Sequence, residues 1–167
     1  MALRLLETHK TLDIRRKMLR EGKMATYLKR IEARFIREKV EGYDKPIMST
    51  KDAYQLFKYL QDETKEKMIG VYLDGQNKVV CFDIVAMGGV QSSHVSVREV
   101  IKPAVLSGAV GLIIIHNHPS GNPEASDADI ELTLIIKKAC ELMELNLLDH
   151  IIVGLDSYYS FNDEGRL

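Results

Sequence analysis

The stretch Gly111–Glu131, GLIIIHNHPSGNPEASDADIE, passes within twenty-one residues from an apolar run, through a turn-rich loop, into the start of a helix. Leu112–Ile115 has the continuous apolar character of a fully buried strand and ends abruptly in His116-Asn117-His118-Pro119. Side chains alternate along a strand, so His116 and His118 leave the same face with Cα atoms ~6–7 Å apart, close enough for both imidazoles to reach one ion. Pro119-Ser120-Gly121-Asn122-Pro123 turns the chain, and Ser126-Asp127-Ala128-Asp129 opens a helix that brings a carboxylate back toward the imidazoles. Two histidines and an aspartate suit zinc with an open fourth position. Each part has a plainer reading: Ser126-x-x-Asp129 is also a helix capping box, and a lone histidine at a strand end is commonly a hydrogen-bonded surface residue. Their conjunction carries the metal reading, and capping is compatible with ligation because it would hold Asp129 in place.

Outward from this stretch the chain alternates strands and helices. Ser49-Thr50-Lys51-Asp52 starts an amphipathic helix over Ala53–Leu60, with Leu56, Phe57 and Leu60 facing inward. Met68–Leu73 and Lys78–Ala86 read as a β-hairpin with Asn77 in its connection. A helix follows from Ser96 or Val97 to about Ser107, with Pro103 expected at a kink or in the true first turn. The helix after Ser126 carries Ile130, Leu134, Ile135, Ala139, Leu142 and Met143 on one broad face, with Asn146 as its stop signal. Leu147–Val153 and Tyr158–Phe161 read as two further strands. The expected fold class is therefore α/β or α+β, a sheet covered by helices.

Composition and charge set the organisation. An apolar content of 46% and a charged content of 28% over 167 residues describe a soluble globular chain with a real core. No run approaches the ~20 apolar residues of a membrane helix, and no signal peptide is expected, so the predicted location is cytoplasmic. Cys81 and Cys140 stand far apart without a CxxC pair, which argues against thiolate zinc or a disulfide framework. Residues 1–40 hold twelve Lys/Arg against five Asp/Glu, a net charge of +7, whereas the remainder carries −8. We therefore expect a basic helical N-terminal arm over 1–46 and a compact domain over 47–167. The arm can be read as a contact for nucleic acid phosphates or an acidic partner, or as a solvated helix folding back on the acidic body.

Other zinc hydrolases with a His-x-His pair do not fit. The metallo-β-lactamase pattern needs an acidic residue and a further histidine where Pro119 and Ser120 stand, amidohydrolase barrels need ~250 residues, and deaminases need His-x-Glu with a later Pro-Cys-x-x-Cys. The spacing His116-x-His118, seven residues, Ser126-x-x-Asp129 instead resembles the JAMM motif of the JAB/MPN metalloproteases. The segments His116–Gly121, Val97–Val100, Leu148–Gly154 and Tyr159–Phe161 resemble the bacterial RadC branch of that family, associated with DNA repair. The resemblance covers about Ser49 to Leu167 and implies a cytidine-deaminase-like mixed sheet flanked by helices. It implies zinc on His116, His118 and Asp129, with Ser126 assisting at the activated water and the developing oxyanion. An upstream glutamate acts as base, matched best by Glu66, with Glu63 and Glu99 as alternatives. The implied substrate is a peptide or isopeptide-linked protein, and a homo-oligomer is possible. Residues 1–46 lack the glycine hairpin of the helix-hairpin-helix-like element that RadC proteins usually carry in a longer N-terminal region, a departure that weakens the DNA-binding role the resemblance implies for them. His9, His94 and His150 fall outside the motif and are read as structural or surface residues.

Overall fold

In a computed structural model, which describes residues 31–32, 34–36, 45–88 and 95–167, the central run forms strand β3 over Gly111–Asn117, buried along its whole length. The fold described here is that of the unit Arg37–Leu167. Its elements before β3 are α1 (Thr50–Phe57), a 3₁₀ turn (Lys58–Asp62), β1 (Lys67–Leu73), β2 (Val79–Met87) and α2 (Val97–Ser107). After β3 come α3 (Asp127–Leu142), β4 (Asn146–Gly154) and β5 (Ser157–Ser160). The basic arm lies outside the described residues apart from the few near its end.

The strands form one sheet in the order β2-β1-β3-β4-β5, antiparallel except for β3 and β4, which run parallel and are joined through α3. A parallel pair needs such a crossover. Alternation on β3 then divides the interior in two. Leu112 and Ile114 face a core built with α2 and α3, shared with Met68, Tyr72, Val100, Leu132 and Ile136. Ile113 and Ile115 face the other core with Ala53, Tyr54 and Phe57 of α1. Each such side chain, fully buried, contributes ~1.5–3 kcal/mol, and helices on both faces let every apolar residue of β3 be covered. The result is a mixed five-stranded sheet with three helices, an α+β fold. Among the described residues no helix is long and apolar enough to cross a membrane.

Local chemistry fixes the connections. Asp74 Oδ1 accepts from the backbone N–H of Gln76 and Lys78 at 2.8 and 3.0 Å, and Asn77 takes a left-handed φ of 59°, closing the expected hairpin. Ser49 caps α1 by accepting from Asp52 N at 3.2 Å. Pro103 stands within α2, past its first turn.

Two expectations for α3 are corrected. Its buried residues are Asp129, Leu132, Thr133, Ile136 and Cys140, while Leu134, Ile135, Leu142 and Met143 are exposed. The inward stripe includes two polar members, so hydrophobicity alone selected the wrong side. Asn146 does not end the helix: α3 stops at Leu142, Glu144 takes the left-handed φ of 56°, and Asn146 already begins β4.

Candidate metal centre

The site forms where β3 leaves the sheet. Alternation puts Ile114 and His116 on the α3 side, and His118 follows one step beyond the strand on that side. His116 is fully buried and His118 half-buried. Their Nε2 atoms converge to 3.2 Å. The His118 ring is held from behind by Nδ1 at 2.9 Å from the Asn122 carbonyl. The turn is seated on β4 by His118 N to Val153 O at 3.0 Å and Leu155 N to Gly121 O at 2.9 Å. Gly121 has φ of +80°, and a Cβ on Gly154 would lie 2.6 Å from the Gly121 carbonyl, so glycine at both positions permits the close approach.

Asp129 arrives from α3. Ser126 Oγ accepts from Asp129 N at 3.2 Å and Asp129 Oδ2 accepts from Ser126 N at 2.9 Å, so the capping box is formed. The Ser126 hydroxyl also donates to Asp129 Oδ2 at 2.6 Å. The carboxylate presents Oδ1 3.3 Å from His116 Nε2 and Oδ2 3.5 Å from His118 Nε2. Burial opposes its charge, but the neighbouring His116 and His118 and the Ser126 hydroxyl outweigh that and hold its pKa well below the usual carboxylate range. In return Asp129 raises the pKa of His118, against the effect of burial.

Glu66 stands immediately before β1. Met68 pairs with His116, and Glu66, two residues earlier on the same face, comes opposite His118. Its Oε1 lies 3.9 Å from His116 Nε2. One ligand atom each from Glu66, His116 and His118 falls within a 4.8 Å span, a cluster that could hold a metal ion. The alternatives are placed differently: Glu63 pairs with Lys67, and Glu99 is an exposed partner of Lys102 on α2. His9 and His94 lie outside the described residues.

The donor set fits a metal. Tetrahedral zinc with nitrogen and oxygen ligands at ~2.0–2.2 Å has ligand-to-ligand edges of ~3.3–3.6 Å. His116 Nε2 lies 3.2 Å from His118 Nε2 and 3.3 Å from Asp129 Oδ1, and His118 Nε2 lies 3.5 Å from Asp129 Oδ2, so each imidazole nitrogen has neighbours near such an edge length, with the carboxylate reaching the two through different oxygens.

Two residues beyond the motif bear on this site. Asn117 is fully buried on the α1 side of β3, where its Oδ1 accepts from Lys67 N at 2.8 Å and its Nδ2 donates to Lys65 O at 3.2 Å and Glu63 O at 3.4 Å. It therefore clamps the backbone on both sides of Glu66. His150 is buried in β4 with Nε2 2.8 Å from His116 Nδ1, and full burial pushes its pKa well below the ordinary imidazole value. It is not a surface residue. Its signal in the sequence was a polar Asp149-His150 pair inside an otherwise apolar strand.

Comparison with known proteins agrees with this architecture. The family model described as RadC-like JAB domain matches residues 47–166. The chain is 39% identical over 121 residues to a UPF0758 protein of Aquifex aeolicus (strain VF5), covering 72% of this chain and 52% of the relative. It is 36% identical over 176 residues to UPF0758 protein LL1007 of Lactococcus lactis subsp. lactis (strain IL1403), covering 98% and 78%. A UPF0758 protein of Haemophilus ducreyi (strain 35000HP / ATCC 700724) is 44% identical over 105 residues. The chain spans about half the length of several of these curated relatives, 52% of the Aquifex protein and 47% of the Haemophilus one. A match that begins before α1, takes in the whole sheet and ends after β5 makes this chain a member of the RadC-like JAB/MPN family.

Proposed function

We propose that the chain is a zinc-dependent metallohydrolase, a peptidase or isopeptidase in which Glu66 is the general base. The observation that carries this reading is the convergence of His116 Nε2, His118 Nε2 and the Asp129 carboxylate to contacts of 3.2–3.5 Å, with Glu66 Oε1 at 3.9 Å. His116, His118 and Asp129 would hold the ion. The chemistry it supplies when bound is Lewis acidity, which lowers the pKa of water toward ~7 and polarises a carbonyl.

The remaining work falls to the protein. Glu66 takes a proton from the attacking water on Oε1 or Oε2 and delivers it to the departing amine nitrogen. Its carboxylate is backed by the Asn117 clamp, so the acceptor atoms keep their place relative to the histidines. Ser126 donates to the developing oxyanion, exchanging its present acceptor, Asp129 Oδ2, for the substrate oxygen. The Ser120–Glu124 turn forms part of the cleft rim. The test is paired: purified protein should contain about one zinc per chain, and Glu66→Gln should keep the zinc while abolishing peptide or isopeptide cleavage. Full activity in that variant removes Glu66 from the mechanism.

The charge asymmetry supports a second reading, a nucleic-acid-associated protein in which the metal site is secondary. Seven net positive charges within residues 1–40 suit phosphate binding. It predicts retardation of DNA or RNA that weakens steeply with salt and disappears when residues 1–40 are removed. No retardation at low salt removes this reading.

A further inference from the structure

Behind His116 runs a chain of buried polar groups that the proposed hydrolysis does not use. His116 Nδ1 is 2.8 Å from His150 Nε2, His150 Nδ1 is 2.6 Å from Thr133 Oγ1, and Thr133 Oγ1 is 2.6 Å from the backbone carbonyl of Asp129. His116 and His150 are fully buried, and Thr133 and Asp129 nearly so. The His150 ring is held in orientation by stacking on Phe161, with centroids 4.9 Å apart and planes 8° from parallel.

Proton positions along this chain follow from its far end. A carbonyl oxygen cannot donate, so its 2.6 Å contact takes the single hydroxyl proton of Thr133. Thr133 Oγ1 must then accept from His150, which places the His150 proton on Nδ1. A second proton on a fully buried ring whose neighbours are a hydroxyl, an imidazole and a phenyl ring would carry a large desolvation cost. His150 Nε2 is therefore an acceptor, His116 Nδ1 donates to it, and the lone pair of His116 is left on Nε2. That is the atom facing His118, Asp129 and Glu66.

We infer that His150, oriented by Thr133, is a positioning residue that fixes His116 in the Nδ1–H tautomer and so presents its Nε2 lone pair to a divalent metal. The inference rests on the metal reading of the site. Because the chain ends on the Asp129 backbone, it also ties the ligand from β3 to the ligand from α3 by way of β4. Partners of this kind change metal affinity by ~10–100-fold when removed.

The experiment measures zinc affinity of the full-length chain by competition with a chromophoric chelator, together with imidazole ¹⁵N spectra of the metal-free protein. His150→Phe keeps the ring and its stacking on Phe161 but loses the acceptor, and should bind zinc ~10–100-fold more weakly. His150→Gln, whose amide oxygen can reach the place of Nε2, should recover most of that loss. The spectra should show His150 and His116 both protonated on Nδ1, and Thr133→Val should convert His150 to a mixture of tautomers. Wild-type zinc affinity in His150→Phe, or a His150 proton on Nε2, overturns the inference. Should His150→Phe not fold, the Thr133→Val spectrum decides, and an unchanged tautomer there overturns it. A wild-type chain that binds no zinc refutes the site reading itself, whereas a zinc-binding wild type with an unaffected His150→Phe refutes only the role of His150.

Discussion

Asp149 and His150 are neighbours on β4 that point to opposite sides of the sheet and meet different fates. Asp149 accepts from Ser160 Oγ at 2.7 Å, Asn162 N at 3.1 Å and Thr50 Oγ1 at 3.1 Å, yet burial outweighs these bonds and raises its pKa. With the folded value above the unfolded one, its contribution to stability is complete below the unfolded pKa of ~3.9 and is lost as pH rises through the folded value. Asp149→Asn should therefore gain stability relative to wild type as pH rises from the unfolded value of ~3.9, a trend that urea unfolding will read. A gap that stays constant with pH contradicts it. Asn117 gives the second prediction at this scale: Asn117→Ala strands backbone groups on either side of Glu66 at ~1–3 kcal/mol each. Zinc content should hold while hydrolysis falls on the order of 100-fold, because only the base is displaced. The motif residues were legible because two side chains per strand face and a fixed helix start are local properties. Asn117 and His150 were not, because their partners lie fifty and thirty-four residues away and depend on which strands pair.

Helix α3 and the turn before it carry the argument at the level of elements. The helix start was readable as Ser126-x-x-Asp129, and the structure has both reciprocal bonds of that cap. Ser126→Ala should cost ~0.5–2 kcal/mol through loss of the cap and should also weaken zinc binding, since it loosens Asp129. Equal zinc affinity in that variant separates the cap from the site. The inward face of α3 was misread for a physical reason: Asp129 serves the site and Thr133 meets His150, so the buried stripe is partly polar while leucine and isoleucine remain outside. Strand-to-turn seating is equally non-local. Gly154 admits the Gly121 carbonyl and Pro123, and Gly154→Ala would set a Cβ 2.6 and 2.7 Å from them. We expect a loss of ~1–3 kcal/mol from overpacking, with a further loss of zinc affinity because His118 is carried by this turn. Unfolding that matches wild type would show that the turn can move away freely.

Across the whole molecule, the hairpin and a sheet covered by helices were foreseen from alternation, turn residues and periodicity, because these properties repeat along many residues. Strand order was not, and strand order is what brings Glu66 opposite His118. The site is thus assembled from three separate elements, β1 at its entry, β3 at its exit and α3 at its start, with β4 behind them. The net charge of +7 on residues 1–40 adds a feature that this assembly does not explain. The account depends most on one claim, that His116, His118 and Asp129 together hold a metal. Elemental analysis of the purified full-length chain tests it directly, beside His116→Ala and His118→Ala. The account predicts about one zinc per wild-type chain and its loss in both variants. A wild-type chain without metal, or variants that retain it in full, would contradict the claim.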